Sequence, residues 1–161
     1  MTDATLLVGV SHSRLYLDDV IRFLDSEGIN HKRVMLELAK NRVPSEPNGL
    51  DFFRKIGNYV AENGGILIYG DDEEILERAY AKDLELFRKM SAPKISIMKW
   101  AELDRESRYK IPHFERDPHF LKVASEQNPE IIVLGRRHIL FLVEKHYSIL
   151  PNRVVYIPTK E

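Results

Sequence analysis

Two Gly-x-x-His segments carry the most chemistry in this chain: Gly9-Val10-Ser11-His12 near its start and Gly135-Arg136-Arg137-His138 well downstream. An imidazole changes charge near neutral pH and also ligates divalent metals. Two brought to one point suit general acid–base work or metal binding. Glu37 interrupts an otherwise apolar stretch, Arg33 to Leu38, where a carboxylate must be partnered or have its pKa raised. For an isolated Glu the simpler account is a salt bridge to Arg14 or Arg42. A second carboxylate, Glu115, and both histidines arriving at the same edge favour a site instead. Together His12, Glu37, Glu115 and His138 could hold Zn²⁺ or Mn²⁺ with a position left for water. The same groups could act without metal as base, acid and orienting carboxylate. Arg136 and Arg137 would suit an anionic ligand or a substrate carboxylate. Lys40, Arg42 and Arg78 read first as surface charge, and Asp71-Asp72 as a helix cap. His31, His113, His119 and His146 have no comparable context and read as surface or packing residues.

These side chains need elements to position them. Four apolar runs without polar alternation, Thr5–Val10, Arg33–Leu38, Gly65–Tyr69 and Ile131–Leu134, read as strands buried on both faces. A fifth, Arg153–Ile157, precedes Pro158. Helical stripes lie between them. Leu17, Val20, Ile21 and Leu24 share one face, with Gly28 as the stop. Phe52, Phe53, Ile56, Tyr59 and Val60 make a second stripe. A third runs from Ile75 to Met90 behind Asp71 and Asp72, either of which could cap it. Asp117-Pro118 reads as a capping Asp followed by proline at the first helical position, and a last helix is expected over Ile139–His146. The charged zone Ala92–Glu115 is expected to hold a strand near Ile95–Met98, a charged helix or loop, and an extended piece ending at Phe114. Strand and helix in alternation predict a three-layer α/β fold with a mainly parallel sheet, a single domain over residues 1–161. In such sheets ligands sit at the carboxyl ends of the strands, where both Gly-x-x-His segments, Glu37 and Asp71 fall.

Composition narrows the setting. The 161 residues carry 24 basic and 25 acidic side chains, a net charge of −1, which gives no global field for nucleic acid or an anionic membrane. There are no cysteines, so disulfides, thiolate ligands and a cysteine nucleophile are excluded, in keeping with a reducing, cytoplasmic compartment. No stretch reads as a signal peptide or as a span of roughly 20 apolar residues. The exposed edge of a short sheet is compatible with a homodimer.

The motifs also resemble a known family. LLVGVSH is similar to the opening strand and His-bearing turn of the TraB/PrgY family, within the broader group of Tiki proteases, erythromycin esterases and ChaN-like proteins. RVMLELAKNR resembles its second strand, GGILIYGDDEEILERAY its acidic turn and arginine-bearing helix, and FERDPHFLKVASEQNPEIIVLGRRH its Glu-Arg-Asp helix start with the second Gly-x-x-His. The order runs from about Thr5 to His146. The resemblance implies a hydrolase of peptide, amide or ester bonds, with a site of His12, Glu37, Glu115 and His138. These four would be catalytic residues, or ligands of a divalent Mn, Co or Zn ion. Arg42, Arg78 and Arg116 would be supporting groups, and Arg116 or Arg136 would face a developing oxyanion. The alternative expectation is a non-catalytic relative that binds a peptide, an anion or a metal, and a third is an accessory subunit in which these groups are structural.

Overall fold

The structure of the protein, a computed structural model, describes residues 5–47, 51–110, 115–145 and 153–159. All five apolar runs form strands: β1 Leu6–Val10, β2 Arg33–Leu36, β3 Ile66–Tyr69, β4 Ile131–Gly135 and β5 Arg153–Ile157. They make one all-parallel sheet in the order β3-β2-β4-β1-β5. β4, late in the chain, therefore sits between β1 and β2, with Val8 beside Val133 and Leu36 beside Val133 on its other flank.

Side chains alternate across the strands, so two separate cores form. On one face Leu6, Val8, Val10, Val34, Leu36, Ile131 and Val133 pack against α1 (Leu17–Glu27) and α2 (Phe52–Glu62) through Val20, Leu24, Phe52, Phe53, Ile56 and Val60. On the other, Leu7, Met35, Ile68, Ile132 and Leu134 pack against α5 (Asp117–Gln127) and α6 (Arg136–Lys145) through Phe120, Val123, Ile139 and Leu142. The result is a three-layer α/β fold. Both faces of the central strands are covered, which is why their sequence lacks polar alternation.

Local signals set the helix ends. Gly28 closes α1 at φ +69°, a conformation that only glycine adopts without strain. Asp72 caps α3 (Glu73–Met90) by accepting from the N–H groups of Glu74 and Ile75. Two expectations change. No strand forms near Ile95–Met98. Ser96 accepts from the N–H of Lys99 and starts α4 (Ile97–Arg105), leaving Ile97 and Met98 87% and 85% exposed. Those apolar side chains thus face outward and join no ladder, and a wide helical turn, Glu106–Lys110, follows. α6 starts at Arg136, not at Ile139, so Arg136, Arg137 and His138 form its first turn. Phe114, His113 and His146 lie outside the described residues. No helix among the described residues is long and apolar enough to cross a membrane.

Candidate active site

The carboxyl ends of β1, β2 and β4 meet because β4 is inserted between the other two. The loops leaving β4 and its neighbours run to opposite faces of the sheet, since α1 and α2 lie on one side and α6 on the other. That divergence opens a crevice above β4, the usual place for a ligand in a parallel α/β sheet.

Glu37, one residue past β2, occupies the crevice. Its Oε1 accepts from the N–H of Gly135 at 2.8 Å and lies 3.6 Å from His138 Nε2 and 3.7 Å from His12 Nε2. Its Oε2 accepts from Arg116 Nη2 at 3.0 Å. Burial alone would raise its pKa. The positive ends of His138, His12 and Arg116, with the Gly135 N–H, outweigh that and hold it at about 2, below the ordinary 4.5. A buried carboxylate thus stays ionised between two imidazoles. Gly135 makes this approach feasible, since a Cβ there would lie 2.5 Å from His12 Nε2 and 3.1 Å from Glu37 Oε1.

The two histidines are held differently. His138 is buried, its Nδ1 2.5 Å from Oδ1 of the fully buried Asp117 and its ring edge-on to Phe120 at 5.0 Å. Its other ring nitrogen, Nε2, is directed at Glu37. His12 follows β1 in a loop, its side chain 39% exposed, resting against Phe53 at 4.9 Å and Phe52 at 6.1 Å. Arg116 supplies the third support. Its Nε and Nη2 reach both oxygens of Asp71, at 3.1 and 2.8 Å, while Nη2 also serves Glu37. Burial would lower the Arg116 pKa, but Asp71 and Glu37 raise it overall, so the guanidinium keeps its charge. Burial raises the pKa of Asp71, opposed by Arg116 and reinforced by Glu37. Nη1 of Arg116 has no hydrogen-bond partner among the described residues, and Arg116 lines the cavity beside His12.

That cavity has a volume of about 290 Å³ and is walled by Leu38, Phe52, Phe53, Leu76 and Tyr80 as well as the charged groups. Burial raises the Tyr80 pKa, so its hydroxyl stays protonated.

Three of the four expected site residues, His12, Glu37 and His138, come together. Glu115 does not join them; it receives Nε and Nη2 of Arg78 at 3.2 and 3.1 Å on a separate, exposed surface. Of the expected arginines Arg42, Arg78, Arg116 and Arg136, Arg116 is the one that reaches Glu37. Arg42 donates to Glu46, and Arg14 pairs with Asp51, so neither is the partner of Glu37. Arg136 lies over the Tyr156 ring and donates to the Pro158 carbonyl, and Arg137 donates to the Arg108 carbonyl. Sequence reasoning missed Asp71 and Asp117 as site residues by reading both as caps. Only Asp72 is a cap; Asp117 is the first residue of α5 and turns inward.

Among the described residues no three His, Asp or Glu side chains are arranged about one ion. Glu37 already spends both oxygens on an N–H and a guanidinium, so the donor set as placed suits proton transfer better than a metal cage. Compared with known proteins, the chain matches no family model, no curated protein and no solved structure.

Proposed function

We propose that the protein is a hydrolase of ester, amide or peptide bonds, working at the His12–Glu37–Arg116 cluster in a cytoplasmic setting. The observation that carries this reading is Glu37 Oε1, an ionised, buried oxygen facing both imidazole Nε2 atoms at the mouth of a cavity. His12, the accessible imidazole, takes a proton from a water molecule as that water attacks the substrate carbonyl carbon. Glu37 stabilises the imidazolium that results, as a buried carboxylate does in other acid–base pairs. Nη1 of Arg116 donates to the carbonyl oxygen as it becomes an oxyanion. His12 then returns the proton to the leaving group. His138 and Asp117 touch no substrate in this scheme; they hold Glu37 in place.

A resemblance to the TraB/PrgY group supports the same class of reaction, with Asp117 and Arg116 in place of Glu115. The test is turnover of ester and peptide substrates by His12→Ala and Glu37→Gln proteins. Both should lose activity while keeping native circular dichroism. Unchanged turnover in both variants overturns the proposal.

A further inference from the structure

The cavity beside His12 also limits what the proposed hydrolase could accept, an inference that rests on that reading. Its volume of about 290 Å³ lies at the small end of ligand pockets, which run from about 300 to 1,000 Å³. A compact molecule fills it. The charges are set against anions. Four carboxylates line it, Glu37, Asp71, Glu46 and Asp83, against two guanidinium groups, Arg54 and Arg116. Both guanidinium charges already face carboxylates, Arg116 those of Glu37 and Asp71 and Arg54 that of Glu46, which Arg42 also serves. A ligand carboxylate or phosphate would therefore meet a wall with an excess of negative charge. What remains on offer are N–H groups of guanidiniums already facing carboxylates, Arg116 Nη1 and, unpartnered among the described residues, Arg54 Nε, beside apolar surface from Phe52, Phe53 and Leu76.

We propose that the substrate is a small, uncharged ester whose acyl group is a short aliphatic chain or a single ring. Its carbonyl oxygen accepts from Arg116 Nη1 and its acyl group lies against Phe52, Phe53 and Leu76. Water adds to the carbonyl, the ester C–O bond breaks, and the alcohol leaves with the proton carried by His12. The acid released then loses its own proton and carries a charge that the substrate lacked. The wall that admits the ester repels the product.

Calorimetry with butyrophenone, an uncharged ketone that cannot be hydrolysed, and with benzoate reads the binding preference apart from catalysis. Butyrophenone should bind, with benzoate weaker by about tenfold or more, the sign expected for like charges brought together. Equal or tighter binding of benzoate, or no binding of butyrophenone, overturns the ligand class. In parallel, p-nitrophenyl butyrate should be hydrolysed faster than the hexadecanoate ester, and Leu76→Ala, or the milder Leu76→Val, should move the preference toward longer chains. Faster hydrolysis of the hexadecanoate by the unaltered protein overturns the size limit. Ketone binding with every ester left intact would defeat the hydrolase reading and leave the ligand class standing.

Discussion

The two Gly-x-x-His segments have the same spacing and take up opposite tasks. In the first, Gly9 lies inside β1 and His12 stands in a loop, partly open to the cavity. In the second, Gly135 ends β4 and His138 falls in the first turn of a helix, sealed against Phe120 and bound to Asp117. The glycines are exchanged, as it were, between the segments. A Cβ on Gly135 would strike His12, whereas a Cβ on Gly9 would meet the Tyr156 ring at 2.6 Å and Arg136 Cα at 3.3 Å. Identical spacing thus yields one partly exposed imidazole and one buried, firmly held one. The backbone that follows the strand, loop or helix, decides which.

Removing the support should cost most. His138→Ala takes away the imidazole on which buried Asp117 is held and should lower stability by about 3 kcal/mol, read from the urea midpoint. His12→Ala, at a partly exposed position, should stay within about 0.5 kcal/mol while abolishing turnover. A large stability loss in the His12 variant would erase the contrast.

Acid should reveal the next largest effect. The Glu37 pKa falls from 4.5 to about 2 on folding, so its contribution is complete above pH 4.5 and fades as pH drops toward 2. The full shift corresponds to about 3 kcal/mol at most, and the upward shift of Asp71 has the opposite sign and returns part of it on acidification. Stability measured against pH should therefore slope downward below pH 4.5 in the native protein and flatten in Glu37→Gln. A curve of the same slope in both would remove Glu37 from the account.

Gly135→Ala should cost less stability than either change, because the atom in its way is the end of a half-exposed ring. It should nonetheless cost at least tenfold in turnover by pushing His12 aside, an effect of misplacement. Gly9→Ala, meeting a ring and a backbone atom, should show the reverse balance: reduced stability before reduced activity. The smallest effect is expected from chelation. Turnover should persist in EDTA, and strict dependence on added Mn²⁺, Co²⁺ or Zn²⁺ would move both histidines into the ligand role.

Much of this was legible in the residues. All five apolar runs became strands, but burial on both faces holds for β1, β2 and β4, whereas the edge strand β3, also expected to be buried, leaves Ile66 and Tyr69 exposed. Glu37 stood out because a carboxylate amid Val34, Met35, Leu36 and Leu38 has no solvent to turn to. What escaped was the segment Glu115-Arg116-Asp117. Pro118 implied that Asp117 lay outside the helix as its cap, but α5 begins at Asp117, after a widened turn at Glu115 and Arg116. That shift rotates Arg116 and Asp117 inward and Glu115 out to Arg78. Spacing alone cannot register a change of helical pitch. Ile95–Met98 failed for a related reason: a short apolar run reads as a strand unless the serine cap is weighed more heavily than the hydrophobicity.

The position of β4 has a consequence in time as well as in space. β1 and β2 do not pair with each other, so the first hundred or so residues to leave a ribosome would hold the β2–β3 pair and a β1 with neither of its neighbours. The two are joined only when residues 131–135 arrive, and the same event delivers the Gly135 N–H and His138 to Glu37. Long-range pairing of this kind slows folding. It also means that the Glu37 cluster and the continuity of the sheet come into being in one step, so a chain that has not finished folding has no assembled site.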